Sequence, residues 1–448
     1  MEKKMTKELL KKIIISENIK YIKLQFTDML GFLKSIEIPA EKIDKALDNE
    51  IIFDGSSITG FSKINDADMY LYPDLNTWLI LEMESKKEYK VGRLLCDVYT
   101  SNKTHFESDP RSILKKCIQK MRDLKIGEYF NVGLEPEFFL FKLDENNTPI
   151  LEHTDDSGYF GTPSIDTSSL VRREIMYELQ KLGFNMEVSH HEVSRSQHEV
   201  NFEYSNALET CDKLQTFKVL VKAVAKKYNM HASFMPKPLK GMNGNGMHVN
   251  CSIADKNNNN LFYDSSKENG LSELAIHFIN GVLKHAKDIS LLTNSTINSF
   301  KRLVPGYEAP CYIAWSDSNR STMIRIPAAN DKAKRVEVRS VDSTSNPYLA
   351  LSAILMAGID GILTKETTHQ SIKKNLFSLS EEERKNLSIE NLPTDLKEAL
   401  NFFRNSDLIK KVFGNDIIDK FITIKEKEWK DYVSEITDWE IKKYFNYY

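Results

Sequence analysis

Residues 21–39, Y-I-K-L-Q-F-T-D-M-L-G-F-L-K-S-I-E-I-P, alternate apolar and polar positions on both sides of a Gly-centred turn, which predicts a β-hairpin. T-W-L-I-L-E-M (77–83) and V-G-R-L-L-C-D-V-Y (91–99) predict further strands, so the N-terminal part reads as a small β-rich domain. The polar stretch S-N-K-T-H-F-E-S ends it, with a boundary near residue 105 that divides the chain into 1–105 and 106–448. Asp109 is then placed to cap, and Pro110 to open, a helix whose apolar positions Ile113, Leu114, Cys117, Ile118 and Met121 recur at helical spacing. The second domain mixes strands with long helices. Its charge-rich end, about 380–448, predicts amphipathic helices with Phe and Trp on their apolar sides, and N-N-N-N (257–260) predicts an exposed loop.

Four segments break the apolar pattern. L-E-P-E-F-F-L-F (134–141) opens with Glu135 and Glu137, which share one strand face; adjacent carboxylates either line a solvated edge or need a cation between them. S-H-H-E-V-S-R-S-Q-H-E-V-N-F (189–202) places Glu192 and Glu199 an odd number of residues apart, so they meet only if S-R-S-Q bends the chain. Its His190, His191 and His198 read as hydrogen-bonding scaffold, since H-E-x-x-H is absent. G-M-N-G-N-G-M-H-V-N-C-S (241–252) runs from a glycine-rich loop into a strand with His248, Asn250 and Ser252 on one face and Met247, Val249 and Cys251 on the other. R-V-E-V-R-S (335–340) turns Val336 and Val338 inward and Arg335, Glu337 and Arg339 outward. With Arg302, Arg320 and Arg325 close by in sequence, it suggests an anionic substrate gripped by guanidinium forks. Oxygen-rich, sulfur-free ligand candidates suit Mg²⁺ or Mn²⁺, and the combination points to metal-assisted phosphoryl transfer.

Composition narrows the class. The 448 residues are 41% hydrophobic with a net charge of −3, which allows a full core and argues against nucleic acid as a direct partner. The opening apolar run is too short for a signal peptide, and no segment reads as a membrane span, so a cytoplasmic location is expected. Cys96, Cys117, Cys211, Cys251 and Cys311 are odd in number and scattered, which predicts buried, reduced thiols. D-G-S-S-I (54–58) is an ordinary turn by composition, and by itself gives no reason for the acid.

D-G-S-S-I, M-Y-L-Y-P-D, G-L-E-P-E-F-F-L-F, M-P-K-P-L, N-G-N-G-M-H, K-R-L-V-P-G-Y-E-A-P, N-R-S, I-R-I-P, R-V-E-V-R-S and N-P-Y-L-A together resemble type I glutamine synthetases, in order and along essentially the whole chain. The resemblance implies an α+β protein: an N-terminal β-grasp domain and a catalytic domain with a curved antiparallel sheet flanked by helices. It also implies a homo-dodecamer of two hexameric rings with active sites between subunits. It assigns one metal to Glu137, Glu192 and Glu199 and a second to Glu135, His248 and Glu337, with Mg²⁺ or Mn²⁺ as cofactor. Glutamate would contact Asn243, Gly244, Arg302 and Arg339, with Glu308 closing over it; Ser252, Arg320 and Arg325 would lie on the ATP side. Asp54 would enter a neighbouring subunit's site to bind and deprotonate ammonium.

Other implications concern regulation. The long subtype carries a modified Tyr in N-L-Y-D-L-P where this chain reads K-K-N-L-F-S-L-S, so the short, glutamine-inhibited subtype is the better match. Lys63 in G-F-S-K-I replaces the Arg common there and keeps charge without the planar fork. Nitrogen-control transcription regulators are possible partners; the aromatic terminus K-K-Y-F-N-Y-Y could serve them, although a packed terminal helix is the expectation. A γ-glutamyl ligase for a polyamine or other amine and a catalytically silent assembly are the alternatives. Asp54, Glu308 and a full ligand set argue for ammonia and for activity.

Overall fold

The computed structural model describes residues 5–61, 67–267, 269–329 and 333–448; Lys63 lies outside them. Five strands form the N-terminal sheet in the order Leu33–Pro39, Ile19–Thr27, Lys90–Tyr99, Asp68–Ile80, Ile51–Asp54, with the second and third parallel. This is the β-grasp layout implied above. The hairpin is present, its turn carried by Gly31 at φ +88°, where a side chain is disfavoured. T-W-L-I-L-E-M is strand only to Ile80; Glu82–Glu84 form a 3₁₀ turn.

A second sheet of ten strands carries the catalytic domain, with the long strand Tyr129–Leu143 at its centre. Phe130, Val132 and Leu134 alternate into the core, which leaves Asn131, Gly133 and Glu135 on the opposite face. The sheet is mixed, not wholly antiparallel, because Trp315–Ser316 pairs parallel to Ile324–Arg325. Helices cover the apolar face. Pro347–Thr364, capped by Asn346 with Pro347 at its first turn, is long and apolar enough to cross a membrane, contrary to the reading that no segment is. Its window is 72% buried inside the fold, so its composition is that of a core helix.

Helix Pro110–Asp123 buries Ile113, Leu114, Cys117, Ile118 and Met121 as their spacing predicts. Asp109 is its cap residue but caps nothing with its side chain. Its Oδ2 instead accepts from the Val98 N–H at 3.3 Å and from the Ser112 hydroxyl at 2.6 Å. Asn257 to Asn259 are exposed, and Asn260 turns inward to donate to the Lys334 carbonyl at 2.6 Å. Helices fill the C-terminal region, with Phe403 and Phe421 buried and Trp429 packed on the core. The terminal helix Asp438–Tyr444 departs from expectation: it buries no residue, and Trp439 is 58% exposed. All five cysteines are free and buried.

Two groups of buried polar contacts stand out where the domains join. The Asn346 amide donates to the Asp28 and Met29 carbonyls at 2.9 and 3.2 Å, and a Cβ on Gly31 would lie 2.9 Å from the Asn346 Cα, so the hairpin turn seats directly on the helix start. Arg111, 3% exposed, is gripped by Asp74 and Asp97 from the N-terminal strands, each at 2.8 Å, and by Asp212 at 3.0 and 2.8 Å. Tyr348 donates to the same Asp212 at 2.7 Å. Removing one member of such a buried network strands the others, so Arg111→Met should destabilise the fold by about 3–5 kcal/mol. A lowered urea midpoint with loss of the contact between domains checks it; an unchanged midpoint contradicts it.

Candidate active site

The ladder register builds the site. His248 lies opposite Glu135, Glu199 opposite Glu137, and Glu337 opposite Asn250, so four strands deliver their polar side chains to one concave face. The S-R-S-Q spacer makes the expected bend. Strands Met186–His191 and Gln197–Phe202 pair with His190 opposite Glu199, the Glu192 N–H donates to the Gln197 carbonyl at 2.8 Å, and Ser196 takes the left-handed φ of +61°. The result is a cleft of about 1590 Å³, lined among others by six glutamates (135, 137, 192, 199, 308, 337) and four arginines (302, 320, 325, 339).

Glycines permit the approach of the facing loop. A Cβ on Gly244 would sit 2.1 Å from the Pro236 carbonyl oxygen, and one on Gly246 2.7 Å from an Arg302 nitrogen. The Gly246 N–H donates to Glu137 Oε2 at 2.8 Å, and Gln197 Nε2 donates to the same oxygen at 3.0 Å. Arg302 is buried and gives two of its nitrogens to the carbonyls of residues 339, 340 and 341, so it braces that segment as well as lining the cleft. Asn243 donates to Glu308 at 2.8 Å across the opening. Glu308 holds φ +57°, a conformation that costs a non-glycine residue of order 1–3 kcal/mol and marks the loop as constrained.

Two ligand groups are poised in the cleft, each with donor atoms within 4.8 Å of one another: Glu135, His248 and Glu337, and His190, Glu192 and Glu199. The first is the set expected for one metal. In the second, His190 rather than Glu137 closes the group; its nitrogens stand 3.3 Å from Glu192 and 3.2 Å from Glu199, so besides contacting these acids it lines the cleft itself. Glu137 still faces this group. Burial, with the Glu137 and Glu199 carboxylates alongside, pushes the Glu192 carboxyl up to about 9, and burial pushes Glu137 up as well. Burial also acts against the charged forms of Glu135 and His248, but their mutual bond at 3.1 Å, with Asn250 donating to Glu135 at 2.9 Å, outweighs it. Glu135 is held low and His248 is raised. Carboxylates packed until they retain protons are short of positive charge, and oxygen-rich groups of this kind fit a hard divalent cation.

Opposite, Arg325 and Arg339 approach Glu337 at 2.8 and 3.3 Å, and Arg339 also donates to the Arg320 carbonyl. Behind the hairpin, His191 bridges the Glu192 carbonyl at 2.7 Å and Asp155 at 2.9 Å, while Arg172 donates to His198 at 2.9 Å. Both of these histidines are buried braces.

Two expected residues are not brought to the cleft of this chain. Ser252 lies farther along its strand and does not line it; Asp54, at the end of Ile51–Asp54, is exposed, with its carboxylate accepting from Ser56 and Ser57. Tyr159, Gln197 and Phe377 line the cleft without having been singled out from the sequence. Tyr159 and Phe160 stack at 4.0 Å, with His190 edge-on to both, so aromatic residues after an Asp-Asp-Ser-Gly turn were the available signal for the first.

Groups whose folded pKa exceeds the unfolded value bind extra protons in the folded state, so stability is lost as pH rises. Glu192, Glu137, His190 and His248 are all raised. Chelator-treated protein should therefore lose thermal stability from about pH 5 to pH 9, and Mg²⁺ should flatten that profile while displacing protons. Calorimetric Mg²⁺ titration at pH 7.5 in buffers of different ionisation enthalpy measures the release; no buffer dependence would contradict it.

The glutamine synthetase catalytic-domain family model matches residues 107–444, and the glutamine synthetase beta-Grasp model matches 18–101. A glutamine synthetase of Staphylococcus aureus is 49% identical over 443 residues, 99% of each chain. One of Staphylococcus epidermidis is 47% identical over the same span. Among solved structures, a GmaS/ADP complex has a TM-score of 0.88 at 31% identity, covering 98% of this chain and 99% of that one. A Plasmodium falciparum glutamine synthetase has 0.87 at 28%, with the same coverage.

Proposed function

The chain belongs to the glutamine synthetase family, and from that premise we propose that it joins ammonia to L-glutamate at the expense of ATP through a γ-glutamyl phosphate intermediate. The observation that carries the reading is the joining, in one cleft, of two groups of potential metal ligands and four arginines in a chain that matches the family from end to end.

A γ-carboxylate oxygen of glutamate attacks the terminal phosphorus of ATP, and the bond to ADP breaks. Arg320, Arg325 and Arg339, beside Glu337, face the charge of the transferring phosphoryl group. Glu135, His248 and Glu337, and Glu137, Glu192 and Glu199, would hold divalent ions, which would supply charge neutralisation at the phosphate oxygens. Asn243, Gly244 and Arg302 position glutamate, and Ser252 contributes on the nucleotide side. Glu308, already joined to Asn243 across the mouth, closes the loop that keeps water from the acyl phosphate. Ammonium loses a proton to Asp54 of a neighbouring copy; ammonia then attacks the γ-carbon, and phosphate leaves. The exposed carboxylate of Asp54, held below the usual range by the Ser56 hydroxyl and N–H and the Ser57 hydroxyl, suits a group that must stay ionised to attract ammonium. That it does not line its own chain's cleft is consistent with sites completed between subunits, as in a dodecamer of two hexameric rings.

Glutamine inhibition, with Lys63 supplying a positive charge, belongs to the same reading and rests on the likeness to the short subtype. Regulator binding and a cytoplasmic location rest on that likeness too. The GmaS neighbour keeps a second reading alive, a γ-glutamyl ligase for another amine on the same metal and ATP residues.

Phosphate release from ATP with glutamate and Mg²⁺, comparing ammonium, putrescine and no amine, separates the two readings. Ammonium-dependent turnover yielding glutamine is expected, and turnover with putrescine alone would overturn it. Asp54→Ala should lower glutamine formation by about 10²-fold or more while leaving ATP affinity within about twofold. Unchanged dependence on ammonium would remove Asp54 from the mechanism.

A further inference from the structure

A second cleft, sharing no lining residue with the first, opens where the N-terminal sheet meets helices Ser169–Lys181 and Ala207–Lys227. Its walls are apolar: Leu33 and Leu81 on one side, Leu182, Val219 and Leu220 on the other. Arg93 also lines it, though only 3% exposed. Among the described residues this guanidinium forms one hydrogen bond, from Nη2 to the Thr216 hydroxyl at 2.8 Å, and no carboxylate forms an ion pair with it. The acid that acts on it most, Asp212, is taken by Arg111 at 3.0 and 2.8 Å and by Tyr348 at 2.7 Å. Burial pulls Arg93 down to about 10, because Asp212 offsets only part of the cost of removing the charge from water.

The acids at the rim do not supply the missing charge. Glu84 pairs with Lys23 and Glu178 with Lys181 at 2.9 Å, while Glu82, 3.9 Å from a Lys90 that sits closer to Glu17 at 2.7 Å, is exposed to solvent and forms no ion pair with Arg93 among the described residues. What remains at the base of the cleft is a buried cation with no ion-pair partner, against apolar walls, in a space of about 560 Å³ counting its open mouth. We infer that this cleft binds a small monocarboxylate with an apolar body, the carboxylate on Arg93 and the hydrocarbon between the leucines. Such a ligand supplies the charge that Arg93 lacks and covers apolar wall on both domains at once. A dicarboxylate leaves a second charge against leucine, and an uncharged molecule leaves Arg93 as it is.

Calorimetric titration of the full-length protein with 4-methylpentanoate tests this, with 4-methylpentanol and acetate as separate arms. Saturable binding of 4-methylpentanoate, one per chain, is expected, with the alcohol and acetate at least tenfold weaker. Arg93→Met should weaken binding at least tenfold. Because that variant disturbs a buried contact, Ala223→Phe, at the exposed rim, provides a second test: it should block binding while ammonium-dependent turnover persists. Absence of saturable binding, equal binding of the alcohol, or binding indifferent to Ala223→Phe would overturn the assignment.

Discussion

Mutual repulsion among carboxylates is the constraint around which the catalytic domain is organised. Glu137, Glu192 and Glu199 are pressed so close, in surroundings so poor in water, that Glu192 retains a proton far above its ordinary range. No such arrangement assembles by itself. It persists because Glu137 and Glu199 are fixed to strands whose other face is buried in a large apolar core, and Glu192 follows directly on the strand Met186–His191 paired to the second of them, so relieving the repulsion would mean exposing Phe138 or Val200. The hydrophobic face of the sheet thus holds the polar face in a state that favours the arrival of a cation.

That scheme demands a stiff support, and the surroundings supply it. The hairpin bearing Glu192 and Glu199 is tied from behind by Asp155, which accepts from His191 and from the Ser196 N–H at 3.0 Å. Arg302 spends its guanidinium on three backbone carbonyls next to Arg339. At larger scale, Arg111 and Asn346 lock the N-terminal sheet to the catalytic domain, so the turn at Asp54 is carried on a body whose orientation is fixed relative to the cleft. Charge and hydrogen bonding here serve geometry more than net stability.

Strand parity made much of this visible beforehand. The alternation through residues 129–138 and 247–252 is enough to place Glu135 with Glu137 and to separate His248 from Met247, and the polar spacer between two H-E-V cassettes is enough to suggest that Glu192 and Glu199 meet. The hairpin was legible for the same reason, whereas the α+β class was implied by the resemblance to glutamine synthetases. What escaped depended on partners remote in sequence. His190 reads like His191 and His198, and only the pairing that sets it opposite Glu199 distinguishes it. Tyr159 reaches the cleft on a loop without periodicity. Asp109 has the sequence context of a cap, yet a strand N–H and Ser112 claim its carboxylate. The amphipathic pattern of the last helix implied a buried side, but the fold offers it no surface to cover.

The pairing of Glu135 with His248, Glu137 with Glu199 and Asn250 with Glu337 has a consequence beyond chemistry. Positions directly across a ladder keep their separation only while the strands stay in register, and a slip of one residue shifts a side chain by about 3.3 Å and turns it to the other face. A misfolded chain with strands displaced by one step would be compact and hydrogen-bonded, yet would have no place for an ion. Affinity for the proposed cations would therefore double as an inspection of the fold: it would separate correctly threaded molecules from near-native impostors that differ little in helix content or size. The same logic says where the chain can tolerate insertions over time, in the loops between these strands, and where a single added residue would be lethal to the site, within them.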